Sequence, residues 1–163
     1  MTVFSILLMV LAGVGVFVVG ILVLTYTSCF IHELGHAAAV KWFGMRIVEL
    51  KFHPWAGRCV FERDGEAATR SRLQIAFENL AITAAGPAAN VIAGLLLCLS
   101  LCFSMTSFEH LLWLNFALMN LLNGVLNFMG INKDPAQDGA RMRQHYREWQ
   151  LLKNGSWAPK LPE

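Results

Sequence analysis

The stretch CFIHELGHAAAV, Cys29 to Val40, closes a run from Thr2 to Ile31 that contains no charged residue. A helix needs roughly 20 apolar residues to cross the hydrocarbon core of a bilayer, so this run is long enough to span one and to tilt, break near Gly13, Gly15 or Gly20, or begin at the interface. Its end departs from that logic by placing two histidines and a glutamate where apolar residues would continue. With Lys41 and Trp42 taken as the membrane interface, a rise of about 1.5 Å per residue puts His36 and His32 roughly 8 to 14 Å inside. Ionisable groups at that depth are costly unless they have partners, so the sequence has to supply one.

Two further charge-free runs follow, Asn79 to Met105 and Leu111 to Asn132, and 56% of the chain is hydrophobic. This composition describes a polytopic membrane protein. The expected architecture is all-α, with about three transmembrane helices at 5–43, 79–105 and 109–130. No basic residue precedes the first run, and it is about twice the length of a signal-peptide core, so it reads as a span that is not cleaved. All thirteen Lys and Arg fall in two blocks, seven from Lys41 to Arg72 and six from Lys133 to Lys160. The positive-inside rule makes both blocks cytoplasmic and leaves Met1 outside and Glu163 inside. Neither block interleaves aromatic and basic residues in a recognisable fold, so nucleic-acid binding is not expected.

Between the first two runs, Val48, Leu50 and Phe52 alternate with Glu49, Lys51 and His53. Pro54-Trp55-Ala56-Gly57 then supplies turn residues and Arg58 to Glu62 resumes a β-rich run. This predicts a short β-hairpin at about 47–62, ended by Asp64-Gly65. Glu66 to Glu78 is a polar, helix-compatible approach to the second span. Asp138 to Lys153 has helical composition but too much charge to cross a membrane, and Asn154-Gly155 ends it. The segment 140–163 is read as a cytoplasmic tail, and 1–163 as a single core. Cys98 and Cys102 lie one turn apart in an apolar run, and Cys29 and Cys59 have no zinc-type spacing, so all four read as structural thiols.

On a helix, His32 and His36 stand one above the other on one face, and Glu33 lies about 100 degrees round from His32. This is the HExxH arrangement of zinc hydrolases: two neutral imidazoles ligate the metal, and the carboxylate, not itself a ligand, removes a proton from the water that the metal activates. A third protein ligand is required. The charge-free runs contain no other acid, and His53, His110 and His145 read as lone surface or interface residues. The stretch GINKDPAQDGARM after the third run leaves Asp134 and Asp138. Gly139 permits a tight backbone turn after Asp138 and favours it. Asn120, Asn123 and Asn127 form a polar stripe on one face of the third span, and Gly86, Asn90 and Gly94 form one on the second, where small residues allow close helix approach. Interhelical hydrogen bonding is the expected role of Asn120 and Asn123.

HELGH at the cytoplasmic end of a span, a short β segment, GPAAN early in another span and DGARM after a third together resemble the site-2 protease family of intramembrane zinc metalloproteases, from about Val16 to Met142. The resemblance implies one Zn²⁺ per chain on His32, His36 and Asp138, with Glu33 as general base and Asn90 and Asn127 as substrate or oxyanion contacts. It implies an intramembrane zinc endopeptidase acting on single-span membrane proteins in the lipid bilayer, with a bacterial inner membrane as the expected location. The alternative is a non-catalytic polytopic membrane scaffold or metal-binding protein. The chain leaves no room for a PDZ-like domain, so substrate selection is expected to rest with the core, the hairpin or a separate regulatory or adaptor protein. Arg141, Arg143 and Arg147 depart from the apolar helix that often follows Asp-Gly in that family.

Overall fold

A computed structural model describes residues 2–52, 57–103, 107–130 and 137–156, with the side chains of 107–109 excepted. The elements run in the order α1 (Val3–Trp42), β1 (Arg46–Phe52), β2 (Gly57–Glu62), a 3₁₀ turn (Gly65–Thr69), α2 (Arg72–Ser100), α3 (Ser107–Met129) and α4 (Asp138–Lys153). Among the described residues three helices, α1, α2 and α3, are long and apolar enough to cross a membrane, and a two-stranded antiparallel hairpin separates the first two. The expected all-α polytopic architecture with its hairpin is the one observed.

The first apolar run forms one uninterrupted helix. Its 40 residues extend about 60 Å, twice the hydrocarbon thickness. A Cβ at Gly13, Gly15 or Gly20 would meet nothing within 4 Å among the described residues, so none of these glycines serves a close helix contact. The Thr2 hydroxyl caps its start by accepting from the Ser5 amide at 3.3 Å. Its end is a Schellman motif: Gly44 takes a φ of 69°, with Met45 N–H donating to the Val40 carbonyl and Gly44 N–H to the Lys41 carbonyl, at 3.0 and 2.9 Å. Only glycine adopts that φ without steric cost. Val40 and Met45, the two side chains the motif brings together, are both fully buried and join Ala67 and Ile82 in a small core under the hairpin.

The hairpin pairs Arg46 with Glu62 and Ile47 with Phe61, then skips a residue so that Glu49 pairs with Val60. Val48 is therefore a bulge. The alternation in the sequence expects Val48, Leu50 and Phe52 on one face, but the extra residue shifts the register. Ile47 is covered in place of Val48, which is 53% exposed. The Phe52 ring rests 4.7 Å from that of Phe30 on α1. Residues 53–56, including His53 and the expected turn at Pro54-Trp55-Ala56, lie outside the described residues.

The second helix begins at Arg72, inside the stretch expected only to approach the span, because Ser71 and Gln74 form a capping box. The α2–α3 crossing is set by small residues: a Cβ on Gly94 would meet Leu121 and the Ala117 carbonyl, and one on Gly124 would meet Val91 and the Pro87 carbonyl. Residues 138–153, read as helical in composition, form α4, which packs on α2 and α3. Arg143 donates to the Met129 and Gly130 carbonyls at 3.0 and 3.3 Å, capping the C-terminal end of α3. A cation there satisfies carbonyls that have no helical partner.

Candidate metal centre

The buried face of α1 carries Ser28, Glu33, His36, Ala37 and Val40. Against it lies the GPAAN segment of α2. A Cβ on Gly35 would collide with the Ala85 carbonyl, and one on Gly86 would collide with Nε2 of His36 and approach Nε2 of His32. The glycine inside HELGH thus lets α2 approach, and the glycine that opens GPAAN leaves room for the two imidazole tips.

Asp138 arrives from the first turn of α4. Its Oδ2 lies 2.6 Å from Nε2 of His32 and 3.3 Å from Nε2 of His36. The two Nε2 atoms are 3.2 Å apart. Among the described residues this is the one group of three potential metal donors, and its atoms lie within 4.8 Å of one another. Gly139 contributes differently from the expected tight turn. It sits in the helix without a positive φ, and its bare Cα faces the Asn127 carbonyl and Gly130, where a Cβ would clash. Close approach of α4 to the end of α3, not a special backbone conformation, is what Gly139 permits. Asp134 lies outside the described residues.

These donors fit a zinc ion. Nδ1 of His36 is 2.7 Å from the Ile82 carbonyl, which can only accept, so the neutral ring carries its proton there. Its Nε2 then presents a lone pair towards a carboxylate oxygen and a second ring nitrogen. Lone pairs gathered this closely need a proton or a metal cation between them, and two imidazole nitrogens with a carboxylate oxygen match the catalytic zinc donor set. Burial alone would raise the Asp138 carboxyl, but in the metal-free site protons on the histidine Nε2 atoms would donate to it, and those hydrogen bonds and charges outweigh burial and hold the group well below the usual carboxylate range. Asp138 is accordingly a carboxylate at neutral pH.

The three donors and Glu33 line a cleft of about 820 Å³, and Asn90 and Asn127 form part of its wall. Its outer wall is β2. A Cβ on Gly57 would overlap the Glu33 carboxyl, so the strand passes directly over that group. Cys59 also faces the cleft, and burial, reinforced by the nearby Glu33 charge, raises its thiol pKa. It therefore remains a thiol at neutral pH, in keeping with its expected structural role. Asn120 and Asn123 behave as expected of interhelical bonds. Ser28 Oγ donates to Asn120 Oδ1, Asn123 Nδ2 donates to Ser28 Oγ, both at 3.1 Å, and Asn120 Nδ2 donates to the Phe116 carbonyl at 2.9 Å.

Three features of this region were not anticipated in the sequence. Arg141 on α4 lines the cleft; its position in a polar helix gave no sign of that. Asn90 Nδ2 lies 3.4 Å from Nδ1 of His32. Glu78, which reads as a polar residue approaching the second span, is buried between Arg70 at 2.7 Å and Arg63 at 3.8 Å. Arg70 also donates to the Phe43 carbonyl at the end of α1, at 2.7 Å. An acid at the edge of a charge-free run, with Arg63, Arg70 and Arg72 shortly before it, was the available signal.

Comparison with known proteins agrees with this geometry. The profile of Peptidase family M50 matches residues 16–145. The chain belongs to that family, the site-2 protease family of membrane zinc metalloproteases. It is a multi-pass membrane protein. Comparisons with curated proteins and with solved structures return no match.

Proposed function

We propose that this chain is an intramembrane zinc endopeptidase that cleaves transmembrane segments of membrane-anchored proteins. The observation that carries the reading is the convergence of His32, His36 and Asp138, from opposite ends of the sequence, in one cleft with Glu33. In this reading Nε2 of both histidines and an Asp138 carboxylate oxygen hold one Zn²⁺ per chain. When bound, the ion supplies a Lewis acid towards water and the scissile carbonyl. Glu33 takes a proton from water as general base and returns it to the leaving amine. Gly57, which has no side chain, leaves room for that carboxyl where the strand crosses it. Asn127, on the cleft wall from α3, offers its carboxamide to the substrate. Residues 1–163 act as one core.

A helical substrate must unwind before its carbonyls can react. In this reading the unwound segment adds as a strand to the free edge of β2, whose residues Gly57 to Phe61 line the cleft. Proline substitutions along Arg58–Phe61 should abolish cleavage with zinc content unchanged, and undiminished cleavage would dismiss strand addition. The basic blocks orient the chain with Met1 outside and Glu163 in the cytoplasm, so the cleft opens near the cytoplasmic face.

Metal analysis of detergent-purified protein beside cleavage of a panel of transmembrane peptides tests the reading. Wild type and Glu33→Gln should each hold one zinc, with cleavage reduced about 100-fold or more in the variant. Asp138→Asn should empty the site and Asp134→Asn should not. A zinc-free wild type, or a Glu33→Gln protein that matches it in every assay, refutes the enzyme and favours a membrane scaffold.

A further inference from the structure

We infer that Asn90 is a positioning residue for His32: its carboxamide oxygen accepts a hydrogen bond from Nδ1–H and so sets the tautomer in which Nε2 is free for the metal. The inference rests on the zinc reading above. It starts from an asymmetry between the two histidines. His36 has a partner that leaves no choice, since the Ile82 carbonyl 2.7 Å from Nδ1 can only accept. His32 has a partner that can act either way, the Asn90 carboxamide, whose nitrogen stands 3.4 Å from Nδ1.

In that orientation the NH₂ group donates to Nδ1. A neutral His32 then carries its proton on Nε2, directed at Asp138 Oδ2 2.6 Å away. That tautomer cannot ligate through Nε2. The orientation also strands Asn90 Oδ1, a buried oxygen without a hydrogen-bond partner among the described residues. Asn90 is 2% exposed, and either orientation pairs one end of its carboxamide with Nδ1 and leaves the other end without a partner among the described residues, so the metal's need for a free Nε2 makes the choice. Turning the carboxamide by 180° preserves its shape and brings Oδ1 to the position facing Nδ1, where it accepts the ring proton. His32 Nε2 is then a lone pair aimed at the cluster, matching that of His36. Metal-bound histidines generally donate their second ring N–H to a carbonyl or carboxylate in this way.

Asn90 lies on the same α2 face as Gly86, one turn further on, so the segment that clears space for the imidazole tips also holds one ring from behind. Asn90 therefore acts through His32, and a direct substrate contact is the rival reading.

The test is zinc affinity in detergent by competition with a chelating dye, together with the visible spectrum of the Co²⁺-substituted protein, for wild type, Asn90→Leu, Asn90→Ala and Asn90→Asp. Asn90→Leu and Asn90→Ala lose the acceptor and should bind zinc about 10- to 100-fold more weakly, with an altered Co²⁺ spectrum. Asn90→Asp keeps an oxygen facing Nδ1 and should restore affinity to within a fewfold of wild type. Monodispersity and helical circular dichroism show whether each variant is folded, and Asn90→Ala, the smaller change, stands in if Asn90→Leu is not. Wild-type affinity in the folded Leu or Ala variant, with cleavage alone impaired, would overturn the inference in favour of substrate contact and leave the zinc site standing. Equal weakening in the Asp variant would also overturn it, since the acceptor would not matter. A wild type that binds no zinc would remove the reading beneath it.

Discussion

His36 and Gly86 depend on each other. The imidazole keeps its orientation through the Ile82 carbonyl, one turn before Gly86 on α2, and the space its Nε2 occupies exists because Gly86 has no Cβ. Gly86→Ala removes no donor atom, yet its methyl group falls on the ring. Overpacking of this kind costs about 1–3 kcal/mol in stability, and displacement of the Nε2 ligand atom should weaken zinc binding roughly tenfold or more. The variant should retain its helical circular dichroism while losing metal in a chelator titration. Normal zinc binding in Gly86→Ala would mean that the two helices do not meet there.

At the scale of elements, the site depends on how α4 docks. Asp138 occupies the first turn of α4, and that turn sits against the end of α3 through Gly139 and is held by Arg143 on the α3 carbonyls. The three arginines after Asp138-Gly139 were a departure from the family pattern, and Arg143 now has a structural task. Gly139→Ala would set a methyl against the Asn127 carbonyl, a backbone atom that cannot step aside. The helix must then shift and carry Asp138 with it. We expect zinc stoichiometry to fall well below one per chain in Gly139→Ala, even though every proposed ligand remains. An Ala variant with full zinc content would show that α4 can move without disturbing the site.

For the whole molecule, the membrane-embedded helices and the hairpin are joined at one edge by a buried charge cluster. Glu78 on α2 pairs with Arg70 and Arg63 from the segment after the hairpin, Arg63 also donates to Asn79, and Arg70 reaches the last turn of α1. Removing one partner of a buried pair is costly because the opposite charges remain. Glu78→Gln should destabilise the protein by about 3 kcal/mol, seen as a lower melting temperature in detergent, with no proposed zinc ligand altered. Topology has a probe already in the chain. Cys102 is exposed just beyond the end of α2, so a membrane-impermeant thiol reagent should label it from outside intact cells. Labelling from the cytoplasmic side alone would reverse the assigned orientation.

Much of this was written in local sequence. Three apolar runs, the hairpin and the Gly155 stop of α4 follow from hydropathy, alternation and a glycine at positive φ, and HELGH is readable because two residues four apart on a helix must share a face. Local pattern could not show that Val48 bulges, that the first helix runs unbroken past three glycines, or that Gly139 serves close packing instead of a turn. Nor could it show that Asp138 comes within 2.6 Å of His32, that Glu78 is enclosed by arginines, or that Asn90 stands behind an imidazole. Those facts depend on which surfaces of distant segments meet, and periodicity along a chain specifies the face an element buries without specifying the partner that covers it.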